Sequence, residues 1–292
     1  RLAVLAGPAG IGKTRFCLEN FSRLLHESKT PLARDLLYIL PSAEHRERMV
    51  DLMLRKEGGG FFGERVVTFN RLMHELLKAG DFSLVTDVGR RFLIEAIVEK
   101  GGGEYFSSVS SFPGFLERIA EFIGELKESM VGLEAFRQSV KKLGEETPEL
   151  KGKYVGLLQI YEAYETGLEA PGLRDHRDGL FLLRETESHE KTLFPSFRHL
   201  FVDGFFDFSR SQLEFLHWLA QRSERVTLAL TVDLSEERKG LFETPLETLK
   251  ELEKFGFETV DLSRQTNYRT GSSSLRHIER NLFRSSQKPA ES

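Results

Sequence analysis

The sequence predicts an α/β fold in which a parallel sheet, with helices on both faces, is interrupted by a large all-helical insertion. Three observations lead to this prediction. Short apolar runs alternate with segments of helical periodicity towards both ends of the chain, which is typical of β-then-α architecture. The middle of the chain keeps helical periodicity and contains no convincing strand. A glycine-rich segment separates the first apolar run from the first helical segment, as it does in phosphate-binding turns.

The strand predictions rest on short apolar runs of the kind found in a fully buried parallel sheet. These runs are Leu2–Ala6, Leu36–Leu40, Val66–Phe69, His199–Asp203 and Arg225–Val232. Helical patterns follow three of them, at Thr14–Leu25, Ala43–Leu54 and Ser209–Ala220. In the last of these helices, Ser209 and Gln212 have the spacing of a capping box.

The middle of the chain, from about residue 71 to residue 191, is predicted to be helical. Two sets of apolar residues there repeat at helical spacing: Phe115, Ile119, Phe122, Ile123 and Leu126 after Pro113, and Leu157, Ile160, Tyr161 and Tyr164. We interpret their aromatic members as core residues rather than as a platform for stacking bases. Glycine triplets at 58–60 and 101–103 predict loops, and Glu185–Ser196 predicts a polar connection back into the sheet.

Composition and charge exclude several classes of protein. No apolar run approaches the roughly 18 residues of a membrane span, so no membrane partner is expected. The net charge of −4 excludes a globally basic nucleic-acid binder, although a local basic groove remains compatible with it. The single cysteine, Cys17, excludes an internal disulfide and a four-cysteine metal site, and favours a reduced, cytoplasmic setting.

The strongest motif is a phosphate-binding loop between the first strand and the first helix. Its pattern, G-x-x-x-x-G-K-[ST], is formed by Gly7, Pro8, Ala9, Gly10, Ile11, Gly12, Lys13 and Thr14. The glycines let successive N–H groups curl towards phosphate oxygens. Lys13 is expected to reach the β- and γ-phosphates of ATP, and Thr14 to offer its hydroxyl to Mg²⁺. The adjoining Arg15 is included among the predicted nucleotide-binding residues.

A second part of the predicted site is an acidic residue at the end of another strand. Asp203 ends the run that begins at His199 and is the expected second Mg²⁺ residue. Motor ATPases of the helicase type place Glu after this Asp to orient the attacking water, whereas this chain has Gly204. Asp207 and Glu214 are nearby but wrongly spaced, and no Gln follows the Arg225–Val232 strand. We therefore expect ATP binding with little or no hydrolysis.

Short segments spread in order along nearly the whole chain resemble those of one known family. Besides the phosphate loop they are Leu40–Ala43, Val67–Leu72, Thr86–Arg90, Lys151–Tyr164, Phe201–Phe208 and Leu275–Phe283. They are similar to segments of the AddB subunit of the bacterial AddAB helicase–nuclease, a relative of superfamily 1 helicases.

The resemblance implies an organisation for the chain. Residues 1–70 and 192–265 would form a discontinuous RecA-like nucleotide-binding domain, and residues 71–191 a helical insertion domain. Residues 266–292 would be the helical start of a following region. The first residue is Arg1 rather than Met, and the end is polar. We therefore expect an N-terminal piece of a longer protein from which a start methionine or short leader has been removed.

The resemblance also implies partners and an activity. Members of the family pair with an AddA-type motor subunit, act on DNA in double-strand break repair and recombination, scan single strands for the Chi sequence and cut one strand. Their nuclease domain carries an iron–sulfur cluster held by cysteines, which this chain with one cysteine cannot form. The fragment itself is expected to be at most a weak ATPase.

One further segment is similar to active helicases. Gln265–Thr270 resembles, with one extra residue, a segment in which Tyr stacks on adenine and Arg touches phosphate. The resemblance implies Tyr268 and Arg269 as additional nucleotide-binding residues. A plain loop before the helix that contains Leu275 is the alternative interpretation.

Two other functions are compatible with the phosphate loop. A free-standing P-loop kinase or signalling ATPase would need a lid with paired arginines, for which Arg90 and Arg91 are candidates within a helix of apolar periodicity. A scaffold with a vestigial loop is the other possibility, and titration with ATP would distinguish it.

Overall fold

The computed structural model describes residues 1–28, 35–57, 65–80, 82–101, 103–189, 194–235, 238–263 and 272–283. Two compact units make up the chain. The first, here called the sheet unit, contains Arg1–Leu72, Pro195–Phe208 and Leu213–Ser292. The second, the helical unit, contains Met73–Phe194 together with Ser209–Gln212.

The sheet unit is built on parallel strands. Those within the described residues are β1 (Leu2–Gly7), β2 (Leu36–Leu40), β3 (Val66–Thr68), β4 (Phe197–Val202), β5 (Ser223–Thr231) and β6 (Glu258–Asp261). They form one six-stranded sheet in the order β3-β2-β4-β5-β1-β6, with every neighbouring pair parallel. The predicted α/β class is confirmed, and each of the five predicted strands is present with ends shifted by at most two residues.

The helices in the described ranges complete the alternation with strands. They are α1 (Lys13–Glu27), α2 (Ala43–Glu57), α3 (Phe69–Ala79), α4 (Asp87–Glu99), α5 (Pro113–Glu128), α6 (Leu133–Glu146), α7 (Lys151–Glu169), α8 (Gly179–His189), α9 (Arg210–Ala220), α10 (Glu243–Lys254) and α11 (Ser273–Asn281). The β1-to-β2 and β4-to-β5 connections cross the sheet in opposite directions. Since such crossovers are right-handed, α1 and α9 lie on opposite faces.

The core beneath α1 is aromatic. Phe21 of α1 meets the rings of Tyr38 on β2 and Phe201 on β4 edge-on, with centroids 5.5 and 5.8 Å away. Cys17, one turn earlier on α1, is buried in the same cluster. This packing fixes the start of α1 above the carboxyl ends of the central strands, where ligands bind in open α/β sheets.

The helical unit has its own hydrophobic core. Five of its fully or almost fully buried residues are Ile94, Ile119, Ile123, Ile160 and Tyr164. All nine of the predicted aromatic and aliphatic residues of α5 and α7 are buried in this core or packed against it, which confirms their structural role. Within the described part of residues 73–194 the only β pairing is an isolated bridge between Leu84 and Arg174.

Two local predictions can be compared with the structure directly. The predicted capping box is present: the Ser209 N–H donates to Gln212 Oε1 at 3.1 Å and the Gln212 N–H donates to Ser209 Oγ at 3.2 Å. The predicted polar connection Glu185–Ser196 is wrong in its first part, because α8 continues to His189. Buried Leu182 and Leu183 anchor that helix, and the polar Glu185 lies on its exposed surface rather than in a loop.

Candidate functional site

The loop between β1 and α1 has the backbone that its glycines predict. Gly10 and Gly12 adopt φ values of +85° and +92°, in the left-handed region that favours glycine. At Gly7 the space is too small for a side chain, because a Cβ there would lie 2.4 Å from Ile11 Cδ1 and 3.3 Å from the backbone carbonyl carbon of Leu262. The Phe16 N–H donates to Gly12 O at 2.9 Å, so the helix begins directly at the loop.

Lys13 lies within the curl of this loop. Its Nζ donates to the carbonyl oxygens of Gly7 and Pro8, each at 2.7 Å, and the residue is only 7% exposed. The ammonium group is therefore held at the centre of the curl, where an anion would be neutralised. Arg15 has a different setting, because it is exposed on α1 and its Nε donates to Glu19 Oε1 at 2.8 Å.

Asp203 follows β4 and lies against the first turn of α1. Thr14 Oγ1 donates to Asp203 Oδ1 at 3.1 Å, and the Gly204 N–H donates to the same oxygen at 2.9 Å. The other carboxylate oxygen, Oδ2, accepts from the Tyr38 hydroxyl at 2.8 Å. Two predicted residues 189 positions apart are thus brought together, and a third polar residue joins them.

Tyr38 is the functional-site residue that sequence reasoning missed. The run Leu36–Leu40 predicted a buried strand, and all five of its residues are buried. A tyrosine within such a run is a usable signal, because a buried hydroxyl needs a hydrogen-bond partner. Burial, and then the charge of Asp203, raise the pKa of Tyr38 far above its usual value, so the hydroxyl remains a donor.

The thiol of Cys17 lies in the same electrostatic setting. Burial and the charge of Asp203 raise the pKa of Cys17 well above its usual value, and the opposing effect of Lys13 is smaller. The thiol therefore stays protonated and behaves as a small apolar side chain.

Gly204 occupies the position where motor ATPases carry the glutamate. Its φ is +84°, and a Cβ added there would approach Pro41 Cδ to 3.3 Å. The backbone at this point therefore favours glycine by both conformation and space. Asp207, three residues on, is exposed.

The end of β5 adjoins the loop through the backbone. The Val232 N–H donates to Gly7 O at 3.1 Å. Asp233 follows, and its carboxylate accepts from the Ser235 N–H at 2.9 Å and pairs with Arg238 at 3.1 Å. The side chain next to the strand end is thus acidic and already paired.

The protein side chains beside the loop fit Mg²⁺ chemically. A hydroxyl oxygen of Thr14 and a carboxylate oxygen of Asp203 converge there, and Mg²⁺ prefers such oxygen ligands. No group of three or more His, Cys, Asp and Glu side chains that could hold a metal ion occurs among the described residues. A Mg²⁺ ion bound through nucleotide phosphates and water needs no such group.

Several candidate residues from the sequence have other positions. Tyr268 and Arg269 lie outside the described residues. Arg90 is buried in the helical unit and donates to Asp87 in the first turn of α4, while the exposed Arg91 lies 3.8 Å from Glu117. Arg90 is thus engaged within its own helix, which gives no support to the kinase-lid interpretation.

Comparison with known proteins identifies similar chains. A family model described as "ADDB, N-terminal" matches residues 4–279. A protein of Desulforudis audaxviator, named as the B subunit of an ATP-dependent helicase/deoxyribonuclease, is 30% identical over 97% of this chain and 25% of its own length. Proteins of the same name from Geobacillus kaustophilus and Carboxydothermus hydrogenoformans are 28% and 26% identical over 97% of this chain.

The chain is much shorter than the relatives that it matches. It spans 25 to 26% of the length of those three relatives. Within the described residues, no helix is both long and apolar enough to cross a membrane.

Proposed function

The chain belongs to the AddB N-terminal family, and from this membership we propose that it is the nucleotide-binding, motor-like region of an AddB-type subunit. In this proposal it binds Mg-ATP and hydrolyses it slowly or not at all. The observation that carries the proposal is the contact between Thr14 and Asp203 directly beside the glycine loop.

The loop residues have distinct roles in this proposal. The N–H groups at the start of α1 and the curled glycine backbone bind phosphate oxygens. Lys13 exchanges its two carbonyl partners for the β- and γ-phosphates. Thr14 and Asp203 would hold the metal, Thr14 through its hydroxyl and Asp203 through its carboxylate. Mg²⁺, when bound, supplies charge neutralisation at the phosphates.

Slow hydrolysis is the second part of the proposal. Phosphoryl transfer depends on positioning the attacking water, and a lost base or positioning group commonly costs about two or more orders of magnitude in rate. Gly204 has no carboxylate, and its φ of +84° disfavours any residue that has one. The acid after β5, Asp233, is paired with Arg238 instead of facing a phosphate.

Partners are proposed from the relatives. Their name describes one subunit of an ATP-dependent helicase/deoxyribonuclease. We therefore propose that the longer protein assembles with an AddA-type motor subunit and acts on DNA in repair. In that assembly this region serves as an ATP-binding element, and it cannot supply an iron–sulfur cluster because Cys17 is its only cysteine.

Calorimetric titration with Mg-ATP tests the proposal. The unmodified chain should bind, and Lys13→Ala should weaken binding by about tenfold to a hundredfold, because hydrogen bonds to charged phosphate are lost. Lys142→Ala, at an exposed lysine of α6, is the matched control and should bind normally. Equal affinities for all three proteins would contradict the proposal.

A further inference from the structure

The Asp203 carboxylate is held from two sides by different parts of the fold. One oxygen, Oδ1, faces the loop, where Thr14 Oγ1 and the Gly204 N–H donate to it at 3.1 and 2.9 Å. The opposite oxygen, Oδ2, accepts from the hydroxyl of Tyr38 at 2.8 Å. Rotation of the carboxylate would break the contacts on both sides at once.

Tyr38 is itself held rigidly. It is completely buried, and its ring stacks on Phe201 with centroids 6.0 Å apart and meets Phe21 edge-on. Its backbone pairs with β3 on one side and β4 on the other, and its N–H donates to Arg65 O at 2.7 Å. The hydroxyl therefore presents a fixed donor at the end of the neighbouring strand.

We propose that Tyr38 is a positioning residue that holds Asp203 in the orientation needed for a metal-bound nucleotide; this inference rests on the proposed ATP-binding function. The phosphate cradle is formed by β1, the loop and α1, and Tyr38 belongs to none of them. Its contribution is to the metal part of the site alone. Removing the hydroxyl frees Oδ2, lets the carboxylate turn away from Thr14, and raises the Mg²⁺ concentration that is needed to strengthen ATP binding.

The test compares ATP affinity across a Mg²⁺ titration in the unmodified chain and in Tyr38→Phe. In EDTA, the two proteins should bind ATP with affinities that agree within about twofold, because the phosphate cradle is unchanged. The Mg²⁺ concentration that gives half of the affinity gain should rise about tenfold in Tyr38→Phe, as expected for loss of a hydrogen bond to a charged group.

The chain offers a closely matched control. In the helical unit the buried Tyr164 hydroxyl donates to Asp175 Oδ2, also at 2.8 Å. Tyr164→Phe makes the same chemical change at a tyrosine–aspartate contact outside the loop and strands that form the site. It should lower the melting temperature in the same way and leave the Mg²⁺ dependence of ATP binding unchanged.

The outcomes separate the inference from the proposed function. No ATP binding by the unmodified chain would overturn both. Mg²⁺-dependent binding that is the same in Tyr38→Phe would overturn only the role of Tyr38. An equal rise of the Mg²⁺ midpoint in Tyr164→Phe would reduce the effect to general destabilisation and would also overturn the inference.

A double-mutant comparison tests whether Tyr38 acts through Asp203. In Asp203→Ala no carboxylate is left without its donor, so adding Tyr38→Phe should not change the Mg²⁺ dependence any further. A further change in that double variant would show that Tyr38 acts without Asp203, and the inference would fail.

Discussion

At the scale of single residues, backbone conformation decides what chemistry the site can support. Sequence spacing already indicates that Gly204 lacks the carboxylate of a motor ATPase. The structure adds that the backbone at this position is left-handed and lies close to Pro41. The turn after β4 therefore disfavours a glutamate at position 204. By contrast, the contact of Tyr38 with Asp203 joins residues 165 positions apart, and local periodicity carries no information on such a pair.

A glutamate at position 204 should therefore fail to create an ATPase. We expect Gly204→Glu to lower the free energy of unfolding by about 1–2 kcal/mol, the usual cost of a left-handed conformation with a Cβ. Phosphate release should stay as slow as in the unmodified chain. Urea unfolding and a phosphate-release assay measure the two effects.

Gly240→Glu is the control for added charge, because a Cβ at Gly240 has no neighbour within 4 Å. That variant should be nearly neutral in stability. Turnover of several per second in Gly204→Glu, with no loss of stability, would contradict the argument from backbone geometry.

At the scale of elements, the sequence predicted those whose signal is local. The central strands are buried on both faces and have continuous apolar runs, and Ser209 with Gln212 marks the start of α9. No prediction covered β6 or α10. Within the described part of the chain, β6 is an edge strand that pairs with β1 alone, and none of its four residues is buried, so it has no apolar run to detect. Helix α10 has a detectable pattern, since Leu249 and Leu252 are buried three residues apart.

The helical elements are also joined by a buried charge that no periodicity indicates. Lys127 of α5, with a side chain only 2% exposed, contacts Glu165 of α7 at 2.7 Å and Asp178 at 2.5 Å. Burial alone would lower the pKa of Lys127, but the two carboxylates outweigh it and raise that pKa. For Glu165 and Asp178, burial is the largest influence, and the pKa of each carboxyl is raised.

Removing this lysine should leave the two partly buried acids, Glu165 and Asp178, without their cation. At pH 7, Lys127→Met should lower the free energy of unfolding by about 3–5 kcal/mol, the usual cost of leaving buried charges unpaired. Both acids have raised pKa values when folded, so their penalty appears as pH rises above their unfolded values and disappears when they are protonated.

The deficit of Lys127→Met should therefore shrink as the pH falls from 7 towards 4. Urea unfolding of both proteins at several pH values measures the difference. Lys142→Met, at an exposed lysine of α6, should show no such trend. A deficit that is constant with pH would argue that lost packing, rather than unpaired acids, causes the destabilisation.

At the scale of the whole molecule, the candidate site belongs to one of the two units. All residues of the candidate nucleotide site that the structure describes belong to the sheet unit. The predicted Tyr268 and Arg269 lie outside the described residues and remain a prediction. The helical unit has a separate core, so a ligand bound at the loop should stabilise one unit selectively.

Thermal melting with Mg-ATP should reveal this selectivity. A ligand that binds only the folded state, at about 100 times its dissociation constant, adds roughly 2.7 kcal/mol of stability. For a unit of this size that corresponds to an increase of roughly 5–10 °C in melting temperature. If the two units melt separately, only the transition of the sheet unit should move, and Lys13→Ala should reduce that shift by about half or more at the same ATP concentration. Phosphate release measured on the same samples should be negligible, because in the proposed function ATP stabilises the folded unit and Gly204 provides no carboxylate to position the attacking water. A shift accompanied by turnover of several per second would mean that a carboxylate elsewhere in the chain, such as that of Asp207 or Glu214, positions the attacking water.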